Sequence, residues 1–384
     1  MTWNRPELLL WMAAFLAAAW LSPRRWQLPV VATVGLCFLG WAAPLSLALL
    51  AALGLASYFV ARDCRGNFRR LLATVALVVG TIVVAKWGVR LDDSPLAGTV
   101  PLGLSFYGLR IIHYAIDAFG GRLPAHSFGD YLRYLAFMPT MIAGPINRFE
   151  EFCRDSRRRR WDVGLFTSGL ERILYGYVKI VVLANQLAVT VFGGWLHRHG
   201  GDATWLGAYL GCLQYGLNLY LQFAGYSDVA IGLALLAGFR VSENFNWPFA
   251  AVNINDFWKR WHMTLSGWCR DYVFSPVSAL ARSPYLGVLA SMLALGLWHE
   301  FTFRYCLWGL YHGAGIAAWQ YWQGVKRRWQ QLETGWRGRA YSAASWALTL
   351  NFVILSFAIT RAEGPAEAWR ILRTIGTLAG GWHV

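Results

Sequence analysis

The stretch Tyr285–Trp322, YLGVLASMLALGLWHEFTFRYCLWGLYHGAGIAAWQYW, holds two apolar runs, Tyr285 to Trp298 and Phe303 to Trp322, separated by a short polar turn. In hydrocarbon every backbone N–H and C=O must be satisfied within its own segment, so apolar runs of this kind are read as helices. Similar runs recur from Leu8 almost to the C-terminus of the 384 residues, which are 57% hydrophobic and 14% charged. That profile predicts an all-α polytopic membrane protein. Leu8 to Leu21 resembles a signal-peptide core, but Arg24, Arg25 and further apolar segments follow it, so it is read as a first transmembrane helix that is not cleaved.

Working outward, apolar segments fall at Leu28 to Val60 (a hairpin bent near Pro44), Leu71 to Val89, Pro101 to Phe119, Gly164 to Gly194, Trp205 to Phe223, Val229 to Phe239 and Tyr341 to Ile359. With Tyr131 to Ile146 and a half-hydrophobic tail they suggest roughly ten to twelve membrane-embedded helices at about twenty residues per span. There is no soluble domain, long linker or internal repeat. The net charge of +15 sits in arginines between apolar runs, as the positive-inside rule expects of cytoplasmic loops, and so does not point to nucleic acid. On that rule Arg24, Arg25, Arg62, Arg65, Arg69, Arg70 and Arg157 to Arg160 are cytoplasmic, the loop with Asp92 and Asp93 lies outside, and the N-terminus faces outward. Between Arg122 and Arg157 the one apolar stretch, Tyr131 to Ile146, is interrupted by Pro139, Gly144 and Pro145. If both flanks are cytoplasmic it must dip in and return, covered by protein; a kinked ordinary helix is the alternative. Six cysteines, Cys37, Cys64, Cys153, Cys212, Cys269 and Cys306, stand singly and signal neither disulfides nor zinc. In HEFTF, Phe303 occupies the second ligand position of the H-E-x-x-H motif, so no metal is expected there.

Charges at membrane depth cost about 2.5 to 3.5 kcal/mol each and usually face a cavity or a partner. Arg110, His113 and Asp117 share one helical face, either as an ion pair locking two helices or as part of a site. Asn218 and Gln222 precede FAGYSD and Asp228 ends it, and the following Val229 prevents a G-x-S-x-G elbow around Ser227. His299 ends an apolar run beside Trp298 and Glu300; its near-neutral pKa suits removal of a proton from a hydroxyl, although a lone helix-end histidine is also a common structural residue. Projected as one helix, Ile254, Phe257, Trp258, Trp261, Leu265, Trp268 and Tyr272 fill one arc, and Asp256, Lys259, Arg260, Arg270 and Asp271 the opposite one. Such a helix would lie along the membrane interface, with Asn255, His262, Ser266 and Cys269 on the border between the arcs.

Five stretches carry a resemblance: PLGLSFYGLRIIHYAIDAFGG, YLAFMPTMIAGPINRFEEF, LYLQFAGYSDVAIGLALLAGFRVSENFNWPF, NINDFWKRWHMTLSGWCRDYVF and LGLWHEFTFRYCLWGLYHGAG. In order from Pro101 to Gly315 they resemble the membrane-bound O-acyltransferases, in the bacterial branch of alginate O-acetylation and teichoic-acid D-alanylation proteins. The resemblance implies one integral membrane domain (N-terminal helices 1–100, core 101–315, C-terminal helices 316–384), in which a ring of tilted helices around a funnel leads to a catalytic histidine. That histidine matches His299, and a second family position matches His262. By this reading His299 is the general base and His262, with Asn255 or Ser266, positions an acyl thioester donor such as acetyl-CoA or an acyl carrier protein, with no bound cofactor. Lys259, Arg260 and Arg270 either attract the donor's phosphates or an acidic carrier, or serve as ordinary positive-inside anchors. Two positions depart from the family pattern: Glu300 stands where glycine is usual, free to orient His299 or to face water, and Gln222 replaces an acidic residue. The implied location is the bacterial inner membrane, among lipids, with an exported acyltransferase or esterase-like partner and an envelope polysaccharide, peptidoglycan or teichoic-acid-like polymer as final acceptor. Acetyl is the first choice of acyl group and D-alanyl the second. A transporter or lipid flippase without acyl chemistry is the reading of another class.

Overall fold

The computed structural model describes residues 6–61, 65–88, 101–326 and 335–377, so the expected loop residues Arg62, Asp92 and Asp93, and Cys64, lie outside the described residues. Among the described residues all regular structure is helical. Five helices among the described residues are long and apolar enough to cross a membrane: Pro44–Ala61, Phe68–Gly88, Val163–Arg198, Trp205–Leu236 and Gly335–Arg361. Glu7–Trp20, Gln27–Ala42 and Pro284–His299 are apolar but shorter. The hairpin breaks where Pro44 removes a backbone donor, between Gln27–Ala42 and Pro44–Ala61. One expected interruption, between Phe223 and Val229, is absent. Trp205–Leu236 is one helix of 32 residues, so FAGYSD lies inside it, and Val163–Arg198 runs unbroken through a π-helical stretch, Val178–Gly193.

The chain forms two compact units, one of Met1–Gly176 and Tyr226–Ser242, the other of Tyr177–Gly225 and Glu243–Val384. In the first, the stretch Tyr131 to Ile146 is broken as its prolines and glycine predict: helix Phe128–Leu135 is followed by the single turn Met138–Met141 and then by irregular chain. Protein covers it, with Tyr131, Tyr134, Ala136, Thr140 and Met141 all 0% exposed. Gly35 permits this approach, because a Cβ there would overlap the Ala136 carbonyl. The freed carbonyls have a donor in Arg110, fully buried, whose guanidinium bonds the Tyr134 carbonyl and lies 4.0 Å over the Tyr134 ring. His113 accepts a bond from the Phe149 N–H at 3.2 Å. Asp117, on the same helix as Arg110, pairs with Arg122 at 2.7 Å, five residues on.

In the second unit, helices Pro284–His299 and Phe303–Lys326 pack as an antiparallel pair, because small residues occupy the seam. A Cβ on Gly309 would lie 2.5 Å from the Met292 carbonyl oxygen, and one on Gly296 would overlap the Tyr305 carbonyl. The stretch projected above as one interfacial helix is broken instead. Ile254–Trp258 and Met263–Cys269 are separate short helices, followed by a π turn Arg270–Phe274 and by Ser275–Ala281. The break falls at His262, whose backbone is left-handed at φ 44°. A single helix would have left His262 on a border, whereas the break turns its side chain inward to 1% exposure. The aromatic arc stays inside: Phe257, Trp258, Trp261, Leu265 and Trp268 are buried.

Candidate active site

The left-handed histidine is the place to begin. A non-glycine residue there costs roughly 1–2 kcal/mol, and strain of that kind collects at functional sites. The conformation is held by Asn244, 0% exposed, whose backbone carbonyl accepts the Met263 N–H at 2.8 Å. Its side-chain oxygen meets Thr264 Oγ1 at 2.6 Å, the Thr264 N–H at 3.4 Å and His262 Nδ1 at 3.3 Å. The other ring nitrogen, Nε2, is buried without a hydrogen-bond partner. The ring packs edge-on against Phe223 at 4.6 Å and against Trp298 at 5.9 Å between centroids. His262 lies outside the helices long enough to span a membrane. Burial first, and then the neighbouring His299, hold its pKa well below the usual histidine range, so the imidazole is neutral.

His262 and His299 line one cavity of about 90 Å³, with Tyr215, Phe223, Trp261 and Phe357 among its walls. His299 reaches it from the C-terminal end of Pro284–His299, where the close seam with the next helix sets its ring 6.0 Å from Tyr305 and 5.7 Å from Trp308. A third imidazole, His312, also lines the cavity; it is 1% exposed and its Nδ1 accepts the Trp258 indole N–H at 3.3 Å. A bond at Nδ1 leaves the His312 proton on Nε2. Ser356 and Thr360 add hydroxyls from Gly335–Arg361.

The other sequence candidates fall elsewhere. Ser266 directs its hydroxyl to the Trp261 carbonyl at 3.0 Å, and Asn255 contributes its backbone carbonyl to the Lys259 N–H at 3.2 Å; neither lines the cavity. Lys259 and Arg270 are exposed, Arg270 paired with Asp271 at 2.8 Å and Arg260 with Asp256 at 2.9 Å. Glu300 pairs with Arg304 at 2.7 Å, one helical turn on. Gln222 Nε2 donates to Asn185 Oδ1 at 2.6 Å, away from the cavity walls. Asp228 and Asp117 belong to the first unit, paired with Arg172 at 2.6 Å and Arg122 at 2.7 Å. Among the described residues no three His, Cys, Asp or Glu side chains, the three cavity imidazoles included, are placed to hold a metal ion together.

Asn244 and His312 went unremarked in the sequence reading. His312 had a readable signal, since Tyr305, Trp308 and His312 stand at i, i+3 and i+7 and therefore share one helix face. Asn244 had none, because its separation of 18 positions from His262 is closed up only by the fold.

Two imidazoles facing a small, aromatic-walled space can accept and pass on a proton, which is what transfer of an activated acyl group to a hydroxyl requires. Known proteins agree with this chemistry. The profile of the membrane-bound O-acyltransferase family matches residues 122–359, which include both histidines. A probable alginate O-acetylase of Pseudomonas aeruginosa is 32% identical over 404 residues, covering 98% of this chain and 75% of its own. A peptidoglycan O-acetyltransferase of Helicobacter pylori is 27% identical, covering 73% and 58%. A teichoic acid D-alanyltransferase of Streptococcus thermophilus is 30% identical, covering 67% of each chain. With a family match over more than half its length and a relative aligned along nearly all of it, this chain belongs to the membrane-bound O-acyltransferase family and is an acyltransferase rather than a transporter.

Proposed function

We propose that the protein moves an acetyl group from a cytoplasmic thioester, acetyl-CoA or an acyl carrier protein, toward a hydroxyl of an envelope polysaccharide or of peptidoglycan. The observation that carries this reading is the cavity shared by His262 and His299. At about 90 Å³ it leaves room beside the two imidazoles for a small acyl group. A thioester already carries the activation energy, leaving the protein to orient the partners, accept the hydroxyl proton and stabilise the oxyanion. His299 is the proposed general base and His262 the residue that positions the second reactant. The alcohol oxygen bonds to the acyl carbon, the C–S bond breaks, and the hydroxyl proton passes by way of His299 to the departing thiolate.

A D-alanyl group is the second reading, supported by the likeness to the teichoic acid D-alanyltransferase. It would bring an ammonium into a cavity with no carboxylate among its described lining residues, and this favours acetyl. The bacterial inner membrane, several membrane crossings and an exported partner enzyme complete the proposal, in keeping with the five spanning-length helices and the named relatives. The test is base-labile acyl content of the envelope polymer in a deletion strain complemented with wild type, His299→Ala or His262→Ala, at matched membrane expression. Loss of acetate in the variants supports the reading. Release of alanine instead of acetate selects the second reading, and unchanged ester content removes the histidines from catalysis.

A further inference from the structure

The two atoms of the His262 ring that exchange protons sit in opposite circumstances, and Asn244 is the cause. Asn244 Oδ1 is an oxygen and not a misassigned nitrogen, because one of its partners is the Thr264 backbone N–H, which can only donate. Facing an acceptor at 3.3 Å, His262 Nδ1 must itself carry the proton. A neutral imidazole has one N–H, so Nε2 holds a bare lone pair. That lone pair is buried, has no partner, and belongs to a residue lining the cavity.

We propose that Asn244 is a positioning residue that locks His262 as the Nδ1–H tautomer, so that Nε2 enters the cavity as a hydrogen-bond acceptor. The group it positions there is then an O–H or N–H of a reactant and not the thioester carbonyl, which would need a donor. Calling that group a reactant rests on the acyl-transfer reading above; the tautomer does not. The geometry has three independent supports besides the orphaned nitrogen. Asn244 is wholly buried, so water cannot replace its oxygen. Thr264 donates twice to the same oxygen, fixing the amide's orientation. The Asn244 carbonyl bonds the Met263 N–H at 2.8 Å, holding the backbone at the left-handed turn independently of the side chain. A third group that orients an imidazole through its far nitrogen is a recurrent device in acyl-transfer sites, where the wrong tautomer disables a correctly placed ring.

The test reads the tautomer directly in the full-length protein in lipid bilayers, with ¹⁵N-labelled histidine and the His262 signals identified by their loss in His262→Asn. The expected result is a pyrrole-type Nδ1 and a pyridine-type Nε2 in the wild type. A pyridine-type Nδ1 overturns the proposal whatever the activity. Asn244→Leu removes the acceptor while keeping the backbone bond, and is expected to mix the tautomers and lower turnover about a hundredfold. Asn244→Asp, which keeps an oxygen toward Nδ1, is expected to retain the Nδ1–H signature and recover at least a tenth of the turnover. A rise in KM for the acceptor identifies the positioned group as its hydroxyl, and a rise in KM for the thioester identifies an N–H of the donor. Equal loss in both variants with the wild-type tautomer retained would reduce Asn244 to a structural residue.

Discussion

Substituting Gly309 by alanine tests whether the helix seam sets the site. An ideal Cβ at Gly309 lies 2.5 Å from the Met292 carbonyl oxygen, 3.1 Å from its carbon and 3.2 Å from the Leu293 Cα, all backbone atoms of a helix that has no rotamer to yield. Close C···O contacts are found at about 3.3 Å, so the pair must open by about 0.8 Å. That displacement falls on His299, Tyr305 and Trp308, which the two helices carry to the cavity. A misplacement near 1 Å costs on the order of a hundredfold in rate, and overpacking costs about 1–3 kcal/mol of stability. The control is Gly324→Ala on the same helix, where a Cβ meets nothing within 4 Å. There alanine gains about 0.8–1 kcal/mol of helix propensity and leaves the seam untouched. Acyl transfer to the envelope polymer and thermal unfolding in detergent, measured side by side, should show Gly309→Ala slow and destabilised and Gly324→Ala active and stabilised. Equal activity in the two variants would refute the claim that this seam positions His299.

Two further outcomes follow from the cavity. Because His262 stays neutral in the folded protein while an unfolded histidine takes up a proton below about pH 6.5, stability falls as pH drops. The loss sets in as pH falls through about 6.5, where the unfolded histidine takes up its proton, and His262→Asn should flatten the unfolding-versus-pH curve below that point; parallel curves would contradict a buried neutral imidazole. Ser356, 1% exposed, lines the cavity and directs its hydroxyl to the Val353 carbonyl at 2.7 Å, so Ser356→Ala should transfer acetyl normally. Ser356→Leu fills space needed by the acyl group and should lower transfer at least tenfold in protein that still folds; undiminished transfer would place the acyl group elsewhere.

Helical class, membrane setting and family were legible in the chain because they depend on composition, on run length and on short motifs read locally. Pro44 announced a break, and Pro139, Gly144 and Pro145 announced broken chain, since a missing donor or a missing Cβ acts at its own position. The projection of residues 254–272 as one helix failed for a physical reason. Apolar periodicity continues through the left-handed turn, because the aromatic residues on both sides are buried by tertiary packing and not by one helical face. Gln222, Asp228 and Asp117 looked like site residues because each is polar at an apolar depth, yet each is engaged by a partner far enough along the chain, or oriented in such a way, that spacing did not show it. By itself the sequence determined what kind of protein this is, since helix formation in lipid and family motifs are properties of short segments, and it offered His262 and His299 as candidates. Only the tertiary structure decided what His262 Nδ1 meets, because an asparagine oxygen is brought to it by a fold in which Asn244 and His262 are neighbours in space.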